Sequence, residues 1–202
     1  MPSFVESQLV FHFPAAWLII KADAHRFYRY LSGSGLKGVD FIGFPNPKTL
    51  VLIEVKNYVD RFPADGQLPI TAILNDPSHY AAQFLQKFAD SFRLIHIAHQ
   101  HYQRRWWFRA WQSVSSWLPQ SWVGHYDAYF WPKADAILQH TPQSVELWLW
   151  LELGDQVSSE QRDALEQQLQ KYFDESPYRV QIKSRAKAAP KAAVLVRPLK
   201  GS

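Results

Sequence analysis

The 202-residue chain is 47% apolar and 20% charged, with no cysteine and a net charge of +4, which excludes a disordered polymer, a disulfide scaffold and a thiolate metal site. No run approaches the roughly 18 uninterrupted apolar residues of a membrane span, and the opening MPSFVESQLV lacks the basic start and apolar stretch of a secretory signal. A chain of this size buries roughly 70% of its unfolded surface without staples, so one cytoplasmic domain over 1–202 is expected.

In chain order, AAWLIIKA (15–22) reads as a buried strand, HRFYRYL (25–31) as a short helix and SGSG (32–35) as a loop. GVDFIGF (38–44) and TLVLIEVKNY (49–58) are apolar strands separated by PNPK, whose prolines cannot serve a central ladder, so the pair predicts a hairpin. Pro, Asp and Gly punctuate 60–77 as a long loop. From Pro77, the spacing of Tyr80, Phe84, Leu85, Phe88, Phe92, Ile95 and His99 predicts a helix. A second helix is expected over 103–118, with Trp107, Trp111, Val114 and Leu118 on one face, inside a tryptophan-rich elaboration near 100–122. SVELWLWLEL (144–153) reads as a strand, and Ser158 with Gln161 fits a capping box opening a helix that carries Leu165, Leu169 and Tyr172. YRVQIK (178–183) and AAVLVRP (192–198) close the chain as strands. The fold class is α/β, and two hairpin strands apolar on both faces predict a central mixed sheet flanked by helices on both faces.

The hairpin carries the chemistry. Glu54 and Lys56 lie in a strand that otherwise reads as fully buried, and Asp40 lies in its partner. Buried ions need partners, because desolvating an unpaired one costs several kcal/mol. Strand alternation puts Glu54 and Lys56 on one face and Val55 on the other. Pairing Phe44 with Leu50, through a five-residue loop or a bulge of equal effect, sets Asp40 opposite Glu54; a four-residue loop would send them to opposite faces. Two carboxylates and the Val55 peptide oxygen then offer hard ligands to Mg²⁺ or Mn²⁺. Lys56 is placed to orient a water or to neutralise charge on phosphate.

These residues resemble the PD-(D/E)XK nuclease superfamily, whose signature is an Asp on one strand and Glu-x-Lys on the next. Here the matching positions are Asp40 and Glu54-Val55-Lys56, with 13 residues between Asp40 and Glu54. The resemblance implies a restriction-endonuclease-like core and phosphodiester hydrolysis, with Asp40 and Glu54 as metal ligands and Lys56 as the catalytic lysine. Many members add an upstream acid, for which Glu6 and Asp23 are the candidates. Val39 precedes Asp40 where proline is common, and no Gln-x-x-x-Tyr follows at Gln83 or Gln86.

The expected partner is nucleic acid, DNA before RNA, with a second copy of the chain as an option and no stable membrane association. After Glu175 the chain carries Arg179, Lys183, Arg185, Lys187, Lys191, Arg197 and Lys200 and no acid, so the rest is about three charges negative. The basic segment 179–202 is therefore a candidate polyanion contact, through Lys183, Arg185 and Lys187, or a solvated tail. Arg104 and Arg105 open the tryptophan-rich stretch. There, arginines gripping phosphate beside stacking tryptophans compete with membrane-interface binding and, more simply, with helix packing. Lys37, just before the Asp40 strand, is placed to touch phosphate or solvent. His96 and His99 share a helical face without a carboxylate nearby in sequence, which favours a solvated or core pair over zinc. The alternative to a nuclease is a non-catalytic nucleic-acid- or protein-binding module on the same fold.

Overall fold

The computed structural model describes residues 1–33, 35–59, 69–104, 127–154, 157–185 and 194–199. A hairpin of β1 (Ser3–Glu6) and β2 (Leu9–His12) precedes β3 (Leu18–Lys21) and α1 (Arg26–Ser32). Then come β4 (Phe41–Asn46), β5 (Thr49–Asn57), α2 (Pro69–Asn75) and α3 (Pro77–Gln103). The remainder is α4 (Asp127–His140), β6 (Val145–Glu152), α5 (Ser159–Phe173), β7 (Arg179–Lys183) and β8 (Leu195–Pro198). Among the described residues no helix is long and apolar enough to cross a membrane.

Five strands form the main sheet in the order β3-β4-β5-β6-β7. Its first three are an antiparallel meander, and β6 and β7 join in parallel. A second, antiparallel sheet runs β1-β2-β8. Strand alternation sorts the core into two layers. Leu50 and Leu52 face α3, α4 and α5, packing in one cluster with Phe88, Phe130, Trp131 and Leu165. Val51, Ile53 and Val55 turn the other way, onto Leu9, Phe11, Phe13, Trp148 and Trp150. The expectation of helices on both faces is thus corrected. Among the described residues the helices share one face, and the small sheet covers the other. The physical need is the same, since an apolar face requires a cover, but aromatic side chains of a sheet supply it: Phe11 meets Phe41 at 5.3 Å and Trp150 at 5.4 Å between centroids.

The β4–β5 register pairs Phe41 with Ile53 and Gly43 with Val51, then shifts so that Asn46 faces Thr49. The irregularity takes the place of a five-residue loop, and the Phe41–Ile53, Ile42–Leu52 and Gly43–Val51 pairs keep the register that such a loop would set. Gly43 is required by proximity, because a Cβ there would sit 2.7 Å from the Leu18 carbonyl oxygen. Helix α3 starts where its caps say it should: Asp76 Oδ1 accepts from the His79 N–H at 3.0 Å, and Pro77 occupies the first turn. The capping box of α5 closes in both directions, at 3.2 Å each. Within 60–77, the loop expectation is corrected at Pro69–Asn75, which is helical; 60–68 lie outside the described residues, as do Arg105 and the rest of 105–126.

Candidate metal centre

Asp40 sits at the mouth of the meander, fixed by its own backbone. Its N–H donates to the Ile53 oxygen at 3.1 Å and its carbonyl accepts from Ala22 at 2.8 Å. Phe41–Ile53 is the last pair of the β4–β5 ladder, Asp40 just before it donates to that same Ile53, and its carboxyl is near enough to Glu54 for the two charges to oppose each other. Asp40 Oδ2 accepts the Val55 N–H at 2.6 Å. In an extended strand a residue's N–H and C=O leave from the same edge, so the Val55 oxygen belongs to the Asp40 side as well. Glu54 is wholly buried. Its Oε1 takes the Lys56 ammonium at 2.7 Å and the Lys87 ammonium, from α3, at 2.6 Å. Its Oε2 has no hydrogen-bond partner.

The electrostatics follow from that burial. Asp40 is pushed up to about 8, first by burial and next by the charge of Glu54, with Glu6 adding to both; the Val55 N–H and Lys87 pull the other way. For Lys56, burial disfavours the ammonium, but Glu54 and Asp40 outweigh it and the net direction is upward.

Both upstream acids arrive at the same mouth. Glu6, Asp23 and Asp40 each present an oxygen within 4.8 Å of the others. Lys21 lies among them, 2.9 Å from Glu6 and 3.8 Å from Asp23. Glu6 comes from the β1–β2 hairpin, whose turn holds Ser7 and Gln8 at positive φ, and Asp23 from the residues just after β3.

The other sequence candidates scatter. Lys37 is exposed, and its backbone N–H donates to Asp90 at 3.1 Å. Arg104 is exposed at the end of α3. Lys183 lies 3.8 Å over the Trp148 ring and is lowered, first by burial. Arg185 pairs with Glu152 at 3.2 Å. Lys187 is outside the described residues. His96 and His99 do find a carboxylate, Asp135 of α4, at 3.2 and 2.6 Å, so the pair is satisfied across the α3–α4 interface. Lys87 was not anticipated. Its signal was a lysine flanking the apolar stripe of the first long helix after the Glu-x-Lys strand, one position before Phe88.

Fold and site together define a two-sheet α/β protein with four carboxylates and three lysines gathered at the mouth of a β-meander. Comparison with protein families, with curated proteins and with solved structures finds no match to this chain.

Proposed function

We propose that this chain is a Mg²⁺- or Mn²⁺-dependent nuclease that hydrolyses phosphodiester bonds, in DNA before RNA, on a restriction-endonuclease-like core of the PD-(D/E)XK kind. The observation that carries the reading is the convergence of Asp40, Glu54 and Lys56 at one end of the meander, with Lys56 on Glu54 at 2.7 Å and the Asp40 carboxyl interacting with both charges. The residues fit a divalent ion. Glu54 holds a buried oxygen without a partner, and Asp40 resists ionising alone beside it, both of which added positive charge would relieve. Asp40, Glu54 and the Val55 peptide oxygen would hold the ion. When bound, it supplies an acidified water and a counter-charge for the phosphate oxygens.

The chain's own residues do the rest. Lys87 holds Glu54 from the helix side, leaving Lys56, whose side chain is 28% exposed, to turn its ammonium toward a phosphate oxygen. The Val55 N–H orients the Asp40 carboxyl. Replacing Lys56 with alanine should abolish Mg²⁺-dependent cleavage of DNA while Lys87 keeps the melting temperature within a few degrees; cleavage that persists removes the mechanism.

One observation favours a second reading, a non-catalytic binding module on the same fold. Glu54 Oε1 already satisfies two lysines, a cluster able to hold three elements together without an ion. Calorimetry separates the readings: a wild-type protein that binds DNA but gives no heat with Mn²⁺ and no cleavage is the module.

A further inference from the structure

A cavity of about 440 Å³ opens on the helix face of the main sheet, between α3, the end of α5 and the entry to β7. That volume lies within the range of small-ligand sites, about 300–1,000 Å³. Phe88 and Leu147, each 1% exposed, belong to its lining, and Phe92, Tyr172 and Tyr178 stand half-buried beside them. The Phe92 and Tyr178 rings meet at 4.8 Å between centroids with their planes 55° apart, so they form a corner rather than a closed stack. Among the described residues, Glu175 is the one charged side chain in the lining. It is exposed and makes no hydrogen bond or ion pair among them. The nearest cations along the chain, Lys171 and Arg179, are exposed and lie outside the lining. The fifteen residues of α5 end here, at Phe173, so the partial negative charge of a helix C-terminus adds to the Glu175 carboxylate.

We infer that this cavity takes a small organic cation whose charged head is a quaternary, methylated ammonium. The inference stands apart from the metal-dependent reading and shares no residue with that site. Aromatic rings attract a cation through their quadrupole, most strongly when the cation is desolvated. A quaternary ammonium has no N–H to leave unsatisfied, so an apolar wall costs it less than it costs a lysine-type ammonium. Phe92, Tyr172 and Tyr178 offer the rings, and Glu175 offers the counter-charge. An anion is repelled by Glu175 and by the helix end, and one carboxylate is too few hard oxygens for a bare divalent ion. A neutral apolar body fits the volume but gains nothing from the carboxylate.

The test is a ligand-observed NMR titration of the full chain with three probes: choline, its neutral isostere with tert-butyl in place of trimethylammonium, and a trimethyllysine peptide. Choline should bind about fivefold or more tightly than the isostere. Tyr178→Leu, which keeps an apolar side chain and removes the ring, should weaken choline about fivefold and leave the isostere within about twofold. Glu175→Gln should weaken choline about threefold at low salt and less at high salt. Circular dichroism confirms that each variant is folded, and the choline–isostere comparison on the wild-type chain needs no variant. A peptide that binds more tightly than choline assigns the cation to a methylated lysine side chain; one that does not assigns it to a free small molecule. An isostere that binds as well as choline overturns the inference. So does a wild-type chain that binds neither choline nor the peptide at millimolar concentrations, and so do folded Tyr178→Leu and Glu175→Gln variants that both keep wild-type affinity for choline.

Discussion

Replacing Asp40 with asparagine isolates the electrostatic tension of the site, because asparagine keeps the size of the side chain and an oxygen for the Val55 N–H while removing the charge. Burial, then Glu54, raises this carboxyl from an ordinary 3.8 to about 8. Between those values the folded state holds a proton that the unfolded chain has released. The wild-type protein therefore has its full stability from this group below about pH 4 and loses it as pH climbs through about 8. Roughly four pH units at about 1.4 kcal/mol each set a ceiling on the order of 5 kcal/mol; the nearby lysines share in the titration, so about half is the working figure. At about 2–4 °C per kcal/mol for a chain of this size, Asp40→Asn should gain on the order of 5–10 °C on wild type between about pH 5 and pH 9. Thermal unfolding in EDTA, followed by tryptophan fluorescence, reads it directly. Parallel pH profiles for the two proteins refute the reasoning. Millimolar Mg²⁺ should recover part of the wild-type deficit at high pH and leave the variant unmoved.

Three further outcomes follow from other parts of the molecule. Lys56→Ala and Lys87→Ala should each cost about 1 kcal/mol, whereas the double variant leaves Glu54 buried and unpaired at a cost of about 3–5 kcal/mol, a non-additivity that a double-mutant cycle in urea measures. Gly43→Ala would place a methyl 2.7 Å from the Leu18 oxygen and 3.1 Å from Ile19 Cα; pushing β3 from β4 should cost about 1–3 kcal/mol, seen as a lower urea midpoint. Ser158→Ala removes the acceptor for the Gln161 N–H at 3.2 Å and should cost about 1 kcal/mol, with exchange of the first-turn amides of α5 speeded more than the rest.

How much of this was legible depends on whether the signal was local. The facing of Asp40 and Glu54 could be argued because period-two alternation leaves only two choices, and buried charge rejects one. Helix α3 announced its face by spacing and its start by Pro77. The β1–β2 hairpin did not: Ser7 and Gln8 make its turn at positive φ, without the Asn-Gly or Gly pair that signals such turns. The strand β8 was visible in AAVLVRP, but its place beside β2 is a long-range pairing with no local mark. Helix α4 has no clean mark in the sequence, since Pro132 lies inside it and proline within a pattern argues against a helix. With α4 went Asp135, the carboxylate that explains His96 and His99. In the site itself, Asp40, Glu54 and Lys56 were readable from one hairpin. Lys87 was hidden because its meeting with Glu54 spans 33 residues, and the joint arrival of Glu6 and Asp23 depends on the second sheet.

The third strand of the main sheet is held from above and below, by a layer of helices on one side and a layer of aromatic rings on the other, and by neighbours along both of its edges. Such a strand is an anvil. Adjustment to an incoming ligand must come from what surrounds it, the rim carrying Glu6 and Asp23 or the helix carrying Lys87, and the two parts of the acidic mouth therefore differ in stiffness by construction.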